Sequence, residues 1–144
     1  MNPRLRARML YHGAVVIMLG LLAGFPYAFV VTGQLAGEER AWRMAHMEGL
    51  MNGMLVLVAA AVSGSLVLSA RQHVWLAWSL VAAAYGNVIA SIVGATFGVR
   101  GLALAGPATN VIMNLLFWVA IAGILAGVGL IIAGARAAAR ADRS

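Results

Sequence analysis

Four long apolar runs, parted by short polar stretches, take up almost the whole chain. They cover about 8–32, 42–68, 75–97 and 109–135. A bilayer core of roughly 30 Å needs about 20 apolar residues in a helix, so each run is long enough to cross once. The first run exceeds the apolar core of a signal peptide, roughly 7–15 residues, and reads as a retained span. Helix follows from the solvent: a backbone polar group left unpaired in lipid costs several kcal/mol, and four strands cannot close a barrel. The pattern predicts an all-α integral membrane protein, a four-transmembrane-helix bundle in one membrane domain over residues 1–144. The connections are the polar stretch Gly33 to Arg40, a short turn from Ser69 to His73, and a loop through Gly106 and Pro107.

Composition adds exclusions. Of 144 residues 63% are hydrophobic and 10% charged, with a mean hydropathy of +0.94, against about 45–50% and about 25% in soluble domains. With no cysteine there is no disulfide, thiolate chemistry, iron–sulfur cluster or cysteine zinc site, and histidine becomes the leading metal ligand. All ten basic residues are arginine, which removes lysine Schiff-base chemistry. They gather at the span ends. Arg4, Arg6, Arg8, Arg71, Arg136, Arg140 and Arg143 fall on one side and Arg40, Arg43 and Arg100 on the other, placing both termini in the cytoplasm of a bacterial-type inner membrane. Such charges report topology and anionic lipid, and no basic face remains for nucleic acid. Glycines recur four apart at Gly20 and Gly24, Gly49 and Gly53, Gly94 and Gly98, and Gly123 and Gly127, a spacing that lets helices pack closely.

Polar side chains are expensive inside a membrane and usually face the bundle interior, so their depths can be compared. At about 1.5 Å per residue from the outer face, His46 lies roughly 6 Å in, Glu48 about 9 Å and Asn52 about 15 Å. Counting up from the cytoplasm, Asn87 and Ser91 lie roughly 18 and 24 Å along the third span; Asn110 and Asn114 lie about 3 and 9 Å down the fourth. Three helices thus carry amides, a carboxyl and an imidazole into one half of the bilayer. At about 100° per residue Asn52 is about 120° around its helix from His46, so a site using both fits a subunit interface, with His46 from one copy and Asn52 from a neighbour. Glu48 lies on nearly the opposite face from His46 and is expected to pair with Arg43 or Arg100. His12 reads as an interfacial or packing residue, and His73 as a solvated loop residue beside Arg71.

The stretch Ala41-Trp42-Arg43-Met44-Ala45-His46, followed by Gly49, Asn52, Gly53 and Met54, resembles the styrene oxide isomerase family. His12-Gly13, Gly86-Asn87-Val88 and Gly106-Pro107 extend the likeness along the chain. The resemblance implies a trimeric four-helix membrane protein that binds haem b through His46 as axial ligand to the iron. It implies Lewis-acid opening of an aryl epoxide to an aldehyde, with Asn52, and Asn87 beside it, on the substrate side. An apolar pocket around a site with an open iron position suits a small apolar epoxide and limits attack by water. The family carries an aspartate and a tyrosine where this chain has Ala83 and Ser91, and Tyr85 is about 200° from Asn87 around its helix, out of position to replace either. Two other classes stay open: a non-catalytic haem-binding or electron-transfer membrane protein, and a small transporter that uses Glu48.

Overall fold

A computed structural model describes residues 1–141; Arg143 and the end of the arginine-rich tail lie outside them. The chain forms four long helices, α1 (Pro3–Val31), α2 (Glu39–Val62), α3 (Ala70–Phe97) and α4 (Ala108–Ala141), with a single 3-10 turn, Ser63–Ser65, after α2. All four are long and apolar enough to cross a membrane, which makes this a multi-pass membrane architecture.

The helix ends follow local chemistry. Asn2 caps α1, its side-chain oxygen accepting from the Arg4 amide, with Pro3 at the first helical position. Ser69 and Gln72 form a reciprocal capping box at the start of α3. This corrects the turn expected over Ser69 to His73: the cap starts the helix at Ala70, and His73 is inside it and buried. Its Nε2 donates to the Ser63 carbonyl at 3.4 Å, so it ties α3 to the turn after α2. The second helix also ends six residues before the expected Leu68, at Val62. Gly98, in the left-handed region at φ 65°, terminates α3 and packs against nothing, unlike the other paired glycines.

The helices are not equivalent. In the most apolar stretch of α3, 56% of residues are buried within the subunit, against 11% in α4; α3 is the central post and α4 leans on it from outside. The closest approaches are α1 with α2 and α3 with α4, while α2 and α1 meet α3 less extensively. On α1 the buried positions Met9, Gly13, Val16, Gly20 and Ala23 alternate steps of four and three, a seam facing α2. Gly49 of α2 sits so near that a methyl there would fall on the backbone of Gly20. The core beneath is aliphatic, with Val16, Val56, Leu76, Leu80 and Val88 almost fully buried. Because α2 and α4 flank α3 without packing closely on each other, grooves remain between them over α3.

Candidate functional site

The polar cluster expected in one half of the bilayer is divided among three places. The first is a cavity of about 350 Å³ over α3, bordered by Asn52 of α2, Ala83 and Asn87 of α3, and Asn114, Phe117, Trp118, Ile121 and Ile124 of α4. Gly101 and Leu102 of the α3–α4 loop close one end. Three amides from three helices stand in otherwise apolar walls, and Ala83 leaves room where a longer side chain would intrude.

Hydrogen bonding sets the orientation of two of these amides. Asn52 donates Nδ2 to the Glu48 carbonyl at 2.8 Å, and Asn114 donates Nδ2 to the Gly101 carbonyl at 2.7 Å. A carbonyl oxygen can only accept, so in both residues the bonded atom is Nδ2; one N–H of each is committed to backbone, and the second N–H and Oδ1 are not. Asn114 is 8% exposed, and its Oδ1 is buried without a hydrogen-bond partner. Asn110 has another duty: it accepts from the Gly101 amide and donates to the carbonyls of Ala103 and Ala105, holding the α3–α4 loop.

The second place is a cavity of about 410 Å³ nearer the end of the bundle, bordered by Glu38, Arg40, Glu48, Ser91 and Arg100, with Met44 and Met113 among its apolar walls. Glu48 accepts a hydrogen bond from the Ser91 hydroxyl. It forms no ion pair with Arg43 or Arg100 among the described residues, which corrects the expected pairing: the buried face of α3 offers a hydroxyl nearer than either arginine. Leu102 and Phe117 border both cavities and stand between them.

The third place holds His46, and it belongs to α1. Its Nδ1 is 2.8 Å from the Gly20 carbonyl oxygen. Since that oxygen only accepts, Nδ1 carries a proton, and in the neutral imidazole Nε2 is the nitrogen with the free lone pair. The ring rests on Gly24, where a Cβ would lie 3.0 Å from Nδ1 and 3.2 Å from Cε1. Tyr27 lies nearly parallel to it, ring centres 6.3 Å apart and planes inclined by 16°. His46 does not border the cavity of the amides, in keeping with the angular offset between His46 and Asn52 along α2.

His12 lies away from all three, its Nδ1 3.1 Å from the Tyr85 hydroxyl and its ring edge-on to that of Tyr85. Tyr85 is thus engaged on the α1 side and takes no part in the amide cavity. Sequence reasoning did not single out the seat of His46. The pair Gly20 and Gly24 carried a signal only for packing, whereas one supplies the carbonyl that orients the imidazole and the other the space for its ring.

No curated protein matches the chain. The family model for styrene oxide isomerase matches residues 5–136, all four helices included. The matched segment takes in His46 of α2, packed against α1, and the three amides over α3, and on this match the chain belongs to the styrene oxide isomerase family.

Proposed function

We propose that this protein is a haem-dependent epoxide isomerase of the membrane, converting a small aryl epoxide to the isomeric aldehyde. His46 would hold haem b through its iron, and Asn52 and Asn87 would position the substrate. Family membership supports the reaction class. The orientation of His46 is the observation that carries the cofactor: with Nδ1 donating to the Gly20 carbonyl, the ring is fixed and Nε2 is the nitrogen left for a metal. Metal-bound histidines are commonly held in this way, the other ring N–H given to a carbonyl or carboxylate. Gly24 makes room for the imidazole, and exposed apolar side chains of α1 and α2, Leu21, Phe25, Met47 and Met51 among them, give the two helices apolar surface that suits a large flat apolar group.

When bound, haem supplies a Lewis-acidic iron for the epoxide oxygen. The chain's own contribution is positioning. Phe117, Ile121 and Ile124 give an aryl ring apolar contact, and an isomerisation needs no water, oxidant or reductant. Asn87, whose amide makes no hydrogen bond among the described residues, has N–H groups available for an oxygen acceptor. Since His46 and the amides face different sides of one subunit, a site using both takes the ring from one copy and the amides from its neighbour. A homotrimer in the inner membrane, termini in the cytoplasm, closes that arrangement in a ring.

The test is the visible spectrum of the protein purified in detergent with haem supplied. A Soret band in the wild type that is lost in His46→Ala, together with aldehyde formed from an aryl epoxide without reductant, is the expected result. A folded wild type that takes up no haem would overturn the proposal.

A further inference from the structure

We propose that Gly24 is a positioning residue for His46: lacking a side chain, it uncovers the Gly20 carbonyl and admits the hydrogen bond that fixes the imidazole. As a statement about metal binding this rests on the haem reading above; as a statement about the ring it stands without it.

Gly24 differs from the glycines that let helices approach. A Cβ at Gly20 or Gly49 would meet the backbone of the facing helix. At Gly24 the nearest atoms are Nδ1, Cε1 and Cγ of His46, at 3.0, 3.2 and 3.8 Å, all of one ring. The first two fall inside the roughly 3.5–4.0 Å of ordinary contact, so a methyl at 24 presses on the imidazole before anything else. The position matters for a second reason. In an α-helix the carbonyl of one residue faces the amide four residues on, and a side chain covers the turn on the N-terminal side of its own Cα. A side chain at 24 therefore lies over the Gly20 carbonyl, the acceptor that Nδ1 of His46 reaches at 2.8 Å. With glycine there, that oxygen is open to a donor from α2. Tyr27, on the same face of α1, lies nearly parallel to the ring, so Gly20, Gly24 and Tyr27 make one seat. The bond decides which ring nitrogen is left for a metal. Loss of such an outer partner commonly costs about 10- to 100-fold in metal affinity.

The experiment compares Gly24→Val with Gly129→Val, the same change in open space on α4, in the full chain in detergent. Haem affinity is titrated at the Soret band. In the haem-free protein, NMR of the histidine ring nitrogens reads the tautomer of His46, whose signals are those missing in His46→Ala. Wild type and Gly129→Val are expected to hold the neutral ring as the Nδ1–H form. Gly24→Val should move it toward the Nε2–H form and bind haem about 10- to 100-fold more weakly. Gly24→Ala should shift both in the same direction by less. A wild type in the Nε2–H form, or a Gly24→Val that keeps both tautomer and affinity, would overturn the inference and leave the haem reading standing. A wild type that takes up no haem, yet has the Nδ1–H form and loses it in Gly24→Val, would do the reverse. If Gly24→Val fails to fold, Gly24→Ala and the wild-type tautomer decide.

Discussion

Ser91 on α3 donates its hydroxyl to Oε2 of Glu48 on α2, so the Glu48 carboxyl is held by a neutral partner across a helix interface. Arg100 and Arg40 border the same cavity without forming an ion pair to it among the described residues. The bond links the two helices that carry Asn52 and Asn87.

Breaking that link has a measurable cost. Ser91→Ala is expected to lower unfolding stability by about 1 kcal/mol, the usual range for a hydrogen bond between membrane helices. A double-mutant cycle with Glu48→Gln, read by denaturation in mixed micelles, should show coupling of at least about 0.5 kcal/mol. Strict additivity would mean that the two side chains do not interact.

Two glycines separate packing from propensity. Gly49→Ala places a methyl on the backbone of Gly20 and is expected to cost about 2 kcal/mol or more. Gly129→Ala, in open space on α4, should be neutral or stabilising by up to about 1 kcal/mol through helix propensity alone. Thermal melts in detergent that rank the two variants equally would contradict the α1–α2 seam.

The absence of cysteine makes topology easy to test. Ser65→Cys lies between α2 and α3, Ala105→Cys between α3 and α4, at opposite ends of α3. In intact bacterial cells an impermeant maleimide should label Ala105→Cys and spare Ser65→Cys until the membrane is opened, as the arginine distribution requires. The reverse labelling would invert the orientation.

Much of the architecture was legible in the chain. Runs of apolar residues give the number and approximate places of the spans, because lipid leaves a backbone no alternative to the helix. Rise per residue ranks polar groups by depth, and the angle between His46 and Asn52 already separates them on α2. The family match over residues 5–136 agrees with the resemblance carried by the stretch around His46. A local cap overrides the pattern at one place: Ser69 and Gln72 start α3 early enough to bury His73, which by composition looks like a loop residue.

What the chain by itself determined is a set of helices with polar residues at known heights and known angles on each. Periodicity carries no information on how one helix is turned against another. Only the tertiary structure decided that Asn52, Asn87 and Asn114 share one cavity, that Glu48 meets Ser91, and that His46 rests on Gly20 and Gly24. The physical reason lies in the contacts that set those rotations. Glycine against glycine between α1 and α2, and small residues of α4 on α3, join positions distant in sequence, and their fit depends on both partners at once.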